Sequence, residues 1–352
     1  MTQVNRRTQR LMAALPFAAL FLVAALDALT GPDLGYLPLL AVGPAFASLV
    51  GDVRRTVTIG AVALSLSLFL SVYDGMLGDR RSDMSLISIA GVTAASILAT
   101  VGRQRREREL ASVRSVAEVA QRVLLRPVPR RAGHLRAAVS YTSATAEARI
   151  GGDLYEVVIG PGGVRAIVGD VQGKGLAAVE SAALVLGAFR EAAHDEPDLR
   201  GVSGRLEKAL NRRLSGEEFV TAILVEAGPG GKLTLLNYGH PPPLVLRADG
   251  AIELAEPVET APPLGLAVLE VEGPIPHQID FGTGDQILLY TDGVIEARDR
   301  TGRFYPLTER AFLLKDDDPE AALEALRLDL VAHVDAPLHD DAAMLLLRFR
   351  EG

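Results

Sequence analysis

At 352 residues the chain is long enough for two or more folding units, and its formal charge of −8 argues against nucleic acid as the main partner. It contains no cysteine, which removes disulfides, zinc–thiolate sites and cysteine nucleophiles together. Its six histidines are not paired at metal-ligand spacing, so any metal is to be held by oxygen.

Met1 to Arg10 is short and basic, and Leu11 to Leu29 is then apolar apart from Pro16 and Asp27. Further apolar segments run from about Tyr36 to Val50, from Val57 to Val72 and from Met84 to Val101. A helix needs about 20 residues to cross the hydrocarbon core. The first and fourth segments meet that length, and the second and third depend on their flanks. Arginines 6, 7 and 10, arginines 54 and 55, and arginines 103, 105, 106 and 108 fall on one side of a four-span arrangement. The Gly31–Gly35 loop has no basic residue, whereas Asp74–Asp83 is mixed. Asp27 reads either as a functional carboxylate within the membrane or, the favoured reading, as a residue at the interface beside the Gly31-Pro32 turn. The alternative is a cleaved signal peptide followed by buried core helices. It is disfavoured by the three later apolar segments and the lack of a small-residue cleavage site. Residues 1–102 are therefore read as an all-α transmembrane bundle with both ends cytoplasmic, which predicts a multi-pass protein of the cell membrane.

Residues 103–130 form a charged connector. Leu110, Val113, Ala117, Ala120 and Leu124 fit either the seam of a short parallel coiled coil, and hence a homodimer, or the buried face of a single amphipathic helix. Arg126-Pro-Val-Pro129 ends it, because proline cannot continue the helical ladder.

From residue 131 to 352 the pattern is α+β. Strands are predicted at Ala137–Tyr141, Leu154–Ile159, Val164–Val168, Phe219–Glu226, Lys232–Asn237, Ile287–Tyr290 and Ala342–Phe349. Leu244–Leu246 and Ile252–Leu254 flank Ala248-Asp-Gly250 and read as a hairpin. Helices are predicted at Gly175–His194, Val202–Leu214 and Pro319–His333. Hairpins dominate, so the sheets should be antiparallel with helices outside.

Four acidic positions share one design, a hydrophobic run leading to aspartate, in three cases beside glycine. They are Ile150-Gly-Gly-Asp153, Val168-Gly-Asp170, Tyr290-Thr-Asp292-Gly293 and His339-Asp340-Asp341. One such site is a turn. Four point to strand ends converging on carboxylates that need cations to coexist, and such a donor set suits magnesium or manganese. Two such ions bridged by water can clamp a phosphoryl group.

Gly151-Gly-Asp153-Leu-Tyr155, Gly169-Asp-Val-Gln-Gly-Lys-Gly175, Phe219-Val-Thr221, Asn237-Tyr-Gly-His-Pro-Pro242, Leu289-Tyr-Thr-Asp-Gly-Val-Ile-Glu296 and Asp340-Asp341 occur in this order. Over roughly Ala137 to Arg350 the chain resembles the SpoIIE-like branch of the PPM metal-dependent serine/threonine phosphatases. The resemblance implies an antiparallel β-sandwich flanked by helices, with two manganese or magnesium ions between the sheets. It implies Asp153, Asp170, Asp292 and Asp340 as metal ligands and catalytic residues, with Val171 contributing its carbonyl and Asp341 able to replace Asp340. It also implies hydrolysis of phosphoserine or phosphothreonine on a protein by metal-activated water, with a STAS-domain anti-anti-sigma factor as the expected partner.

Other residues near the motifs have two readings each. Lys174 and Arg149 are candidates for binding substrate phosphate, against a helix-start residue and an exposed strand arginine. His240 is a candidate general acid, but between Gly239 and three prolines it is expected to fix a turn. Glu296 is expected to brace the segment after Asp292. Gly173-Lys-Gly175 has neither the order nor the length of a nucleotide-binding Walker loop. Glu156 and Ala343 depart from the family pattern, where aspartate and threonine are common. Two alternative functions are a catalytically weak binding or sensor module on the same fold and a diguanylate cyclase suggested by Gly151-Gly-Asp153. The intact aspartates disfavour the first, and Leu154-Tyr155 and the later Thr-Asp-Gly disfavour the second.

Overall fold

The computed structural model describes residues 3–30, 36–76, 78–143, 152–213, 218–228, 230–266 and 273–350. The chain divides into two compact units, Met1–Ser112 and Val113–Gly352.

The first unit is helical. Helix α1 spans Gln3–Thr30 and contains Pro16. The second apolar segment, expected as one span, is instead a 3₁₀ turn, Leu37–Ala41, followed by the nine-residue helix α2, Val42–Val50. Pro38 and Pro44 each lack an N–H, which breaks that segment into two short pieces. Helix α3 spans Val53–Tyr73, with the Asp52 side chain accepting from the Arg55 amide at 2.9 Å. Helix α4 runs from Arg80 to Leu124 without a break, so the last apolar segment and the connector are one helix. Two helices, Val53–Tyr73 and Arg80–Ser112, are long and apolar enough to cross a membrane, and Ala14–Thr30 and Leu37–Leu49 are shorter apolar helices. Leu20, Leu40, Ile59, Leu70 and Ile89 form the unit's core. Phe21, Phe69, Ile87 and Leu98 point outward with most of their surface exposed. Asp27 is buried, and its Oδ2 has no partner among the described residues.

The second unit is a sandwich. Its strands are β1 Arg131–Ala132, β2 Leu135–Thr142, β3 Asp153–Gly160, β4 Gly163–Val171, β5 Val220–Gly228, β6 Lys232–Tyr238, β7 Leu244–Leu246, β8 Ile252–Leu254, β9 His277–Asp280, β10 Gln286–Tyr290 and β11 Ala342–Phe349. One sheet has the order β1-β2-β11-β10-β7-β8 and the other β3-β4-β5-β6-β9, and every described pairing is antiparallel. The helices are α5 Leu176–Asp195, α6 Leu199–Asn211, α7 Asp292–Ile295, α8 Leu307–Arg310 and α9 Pro319–Val334.

Burial explains why β10 and β11 read as unbroken apolar runs instead of alternating ones. Ile287, Leu289, Leu345 and Leu347 face the layer between the sheets. Leu288, Tyr290, Met344 and Leu346 face a second core under α9. Both faces of the central strands are covered, so neither can be polar. On the other sheet, Ile167, Leu224 and Leu236 meet α5 and α6 in a third core. The pieces not foreseen among the described residues of this unit, β1, β9, α7, α8 and the 3₁₀ turn Ala311–Lys315, are each five residues or fewer. Segments that short carry too little periodicity to register.

Candidate metal centre

The acidic motifs meet at one end of the sandwich. Asp153 opens β3 and is the register partner of Asp170 near the end of β4. Directly opposed residues of an antiparallel pair project from the same face, so these two carboxylates are neighbours by construction. Asp292 begins α7 immediately beyond β10, and Asp340-Asp341 immediately precedes β11, the partner of β10. Two sheets thus deliver their acidic ends to one place.

Glycine makes the approach possible at two points. A Cβ on Gly293 would lie 1.8 Å from the Asp341 carbonyl oxygen, and one on Gly152 would lie 2.4 Å from that of Val171. Any larger residue would push these backbones apart. The Val171 amide donates to the Gly152 carbonyl at 3.2 Å, which ties the ends of the β3–β4 hairpin together.

Three of the carboxylates are held by side-chain hydrogen bonds. Asp153 is 3 % exposed and accepts from Thr291 Oγ1 at 2.7 Å. The same Thr291 oxygen accepts from the Ala343 amide at 3.0 Å, and its own amide donates to the Ala343 carbonyl at 3.1 Å. Thr291 therefore connects β10, β11 and the first aspartate. Asp341 is also buried and accepts from the Tyr141 hydroxyl and from Ser143 Oγ at 3.3 Å. Gln121, in the last turn of α4, donates to the Tyr141 oxygen at 2.7 Å. Asp340 faces the open side, where both its oxygens accept from Lys174 Nζ at 2.7 Å. Lys174 precedes Gly175, the N-cap of α5.

The electrostatics are those of crowded like charges. Burial, and next the Asp170 charge, push the Asp153 carboxyl well above its ordinary range, with Asp341 and Asp292 adding to the effect. Asp170 is pushed up to about 7, first by burial and then by Asp292 and Asp340, with Lys174 acting in the opposite direction. Asp292 is raised by burial, then by Glu296 and Asp340. Asp170 and Asp292 each sense Asp340, and Asp153 senses Asp341, so the acidic pair faces the cluster from two sides. Among the described residues, no three acidic or histidine side chains are close enough to enclose a single ion. The fit to a hard divalent cation lies in the donors, which are carboxylates and one backbone carbonyl, and in the repulsion that positive charge would relieve.

The remaining candidates separate clearly. Arg149 lies outside the described residues. His240 is buried, with Nε2 3.0 Å from the Tyr290 carbonyl and Nδ1 3.1 Å from Thr221 Oγ1. A carbonyl can only accept, so Nε2 carries the proton and Thr221 donates to Nδ1. Burial lowers its pKa to about 3. With Asn237 bonded reciprocally to its backbone at 2.8 Å, His240 joins the two sheets and fixes the turn. Glu296 closes α7, its amide donating to the Asp292 carbonyl at 2.7 Å. Glu156 pairs with Arg190 of α5, whose guanidinium also donates to the Leu124 carbonyl at 2.7 Å, so it serves packing away from the acidic cluster. Thr291, Tyr141 and Ser143 were given no role by the sequence. The only available signal was the position of Thr291 beside Asp292.

A profile of the family described as Stage II sporulation protein E (SpoIIE) matches residues 160–350. Among solved structures, the RsbU and RsbW domains of a Mycobacterium tuberculosis protein superpose with a TM-score of 0.53 at 24% identity, covering 64% of this chain. This chain spans 61% of that relative's length. The SiaA PP2C domain of Pseudomonas aeruginosa gives 0.55 at 19% identity, covering 70% of this chain and 98% of that one. The PP2C phosphatase domain of Bacillus subtilis SpoIIE, with a fragment of its regulatory domain, gives 0.52 at 15% identity, covering 62% and 64%. At these identities the likeness is one of fold. The profile match spans more than half of the residues and includes Asp170, Asp292 and Asp340, and on that ground the chain belongs to the SpoIIE family and carries its PP2C-type fold.

Proposed function

We propose that this protein is a membrane-tethered, metal-dependent protein phosphatase acting on phosphoserine or phosphothreonine. The observation that carries the reading is the convergence of Asp153, Asp170, Asp292 and Asp340 at one end of the sandwich, with the carboxyls of Asp153, Asp170 and Asp292 raised first by burial and then by neighbouring negative charge. Asp153, Asp170, Asp292 and Asp340, with the Val171 carbonyl, would hold two manganese or magnesium ions. Asp341 is buried with its carboxylate on Tyr141 and Ser143, whereas Asp340 lies on the open side with only the half-exposed Lys174 ammonium to displace, which favours Asp340 as the ligand of the pair. When bound, such ions supply the positive charge that acidifies water and offsets the charge on a phosphoryl group.

The chain's own residues do the rest. Thr291 fixes Asp153, and Tyr141 with Ser143 fixes Asp341, so the cluster keeps its shape. Lys174 places an ammonium at the open side, at the start of a 20-residue helix whose amide end also favours an anion. There it attracts and orients the substrate phosphoryl group, with Arg149 as a second candidate. His240 is committed to two hydrogen bonds, so proton transfer to the leaving group falls to water.

The substrate we infer is a phosphorylated STAS-domain anti-anti-sigma factor. Support comes from family membership and from the RsbU-like fold. Two helices of the first unit, Val53–Tyr73 and Arg80–Ser112, are long and apolar enough to span a bilayer, which supports a membrane domain with the phosphatase in the cytoplasm. A homodimer through the connector would use a stripe other than the predicted seam, because Ala120 and Leu124 pack on Val179 of α5 while Val116, Val119 and Val123 are exposed at helical spacing. Full-length protein in detergent should release phosphate faster from a phosphorylated STAS-domain protein than from its isolated phosphopeptide. Equal rates would remove the partner assignment and leave the phosphatase.

A further inference from the structure

The first unit contains a cavity unconnected with the acidic cluster. Its volume is about 490 Å³, and it is lined by Asp52, Val53, Arg54, Val101, Gln104, Arg105 and Arg108. On α4 the lining positions 101, 104, 105 and 108 follow three- and four-residue steps, so they form one stripe of the helix facing the start of α3. The wall is fixed by long-range bonds. Arg103 donates to the Gly51 carbonyl at 2.6 Å, and Thr56 and Thr100 share a buried hydroxyl contact at 3.4 Å.

The charges are unequally committed. Asp52 spends an oxygen on the Arg55 amide as the cap of α3. Arg103 is turned to Gly51 and pairs with Glu107 at 3.6 Å. Arg54, Arg105 and Arg108 form no ion pair among the described residues, so the cavity is net positive with three guanidinium groups available. Guanidinium forks match phosphate oxygens in pairs. The position is equally specific. The two helices long and apolar enough to span a bilayer, Val53–Tyr73 and Arg80–Ser112, bring these arginines together where the apolar stretches end. Lipid headgroups lie at that level.

We propose that this cavity is a binding site for the phosphate of an anionic phospholipid headgroup; the inference rests on the membrane reading of the first unit. The test uses the full chain reconstituted in phosphatidylcholine bilayers with a trace of spin-labelled phosphatidylglycerol or spin-labelled phosphatidylcholine. The motionally restricted fraction of each label gives the relative affinity. Phosphatidylglycerol should be preferred by about fivefold or more, the effect of one well-placed basic residue at the surface. The R54Q/R105Q/R108Q variant should lose the preference, and Arg105→Gln alone, at an exposed side chain, should lose part of it. Charge-matched R6Q/R7Q/R10Q should keep it. Equal loss in both triple variants would mean diffuse basic charge and would overturn the site. Loss of the preference on adding inorganic phosphate at matched ionic strength would reassign the cavity to a soluble anion. No restricted component from either lipid would instead overturn the membrane reading, and the site with it.

Discussion

Thr291 shows how much of the centre depends on single hydrogen bonds. Its hydroxyl donates to a nearly inaccessible Asp153 and accepts from a strand amide. Thr291→Val should cost about 1–3 kcal/mol in stability. It should also weaken metal affinity about 10- to 100-fold, as loss of an outer partner does; calorimetric manganese titration and denaturant unfolding read the two effects. Asp170→Asn should behave oppositely in stability. Removing one of several repelling charges should raise the melting temperature in chelator above neutral pH while abolishing turnover, and a lower melting temperature would contradict the crowded-charge account. His240 gives a pH signature. Its folded pKa of about 3 lies below the ordinary 6.5, so its contribution is complete above about pH 6.5 and is lost as pH falls toward 3. His240→Gln should therefore be less stable than the parent near neutrality, with the gap narrowing on acidification. The aspartates beside glycine were readable in the sequence, because close backbone approach demands glycine at Gly152 and Gly293. Tyr141 and Ser143 were not, because their bonds to Asp341 join positions about 200 residues apart.

At the level of elements, α5 links the open side of the centre to the body of the domain. Its start follows Lys174, and its end is gripped by Arg165, which is fully buried on β4. Arg165 donates to the Ala193 and Glu196 carbonyls at 3.0 and 2.7 Å and pairs with Glu226 at 2.5 Å. A cation at a helix C-terminus is favourable, and removing it would leave Glu226 without its partner. Arg165→Ala should cost about 3 kcal/mol in denaturant unfolding. A loss within experimental error would show that the helix is anchored by packing alone. The sequence revealed β4 as a strand but gave no hint that its one arginine points into the protein. Strand alternation predicts a face, whereas only the tertiary fold says that both faces are covered. The end of α4 was readable from Arg126-Pro-Val-Pro129. The packing of Ala120 and Leu124 on Val179 of α5 was one of two readings the seam allowed.

The whole molecule carries an apolar helical unit and a SpoIIE-family unit of PP2C-type fold in one chain. The outward Phe21, Phe69, Ile87 and Leu98 are suited to lipid and costly in water. The full chain should stay in the membrane pellet after an alkaline carbonate wash, and its release would contradict the membrane reading. The division into an apolar and an α+β half was visible from composition, but the unbroken passage of α4 from one to the other was not. Both pieces read as helical, but the change from apolar to charged after Val101 marks a boundary in composition that the helix crosses on its way to Leu124. The central claim is that the convergent aspartates make a metal-dependent phosphatase. Its most direct test is phosphate release from a phosphoserine peptide by the full-length protein with manganese, with magnesium and with chelator, beside Asp292→Asn. Turnover should need metal and be lost in the folded variant. Turnover that survives chelator or Asp292→Asn, or none in either metal from folded protein, would contradict it.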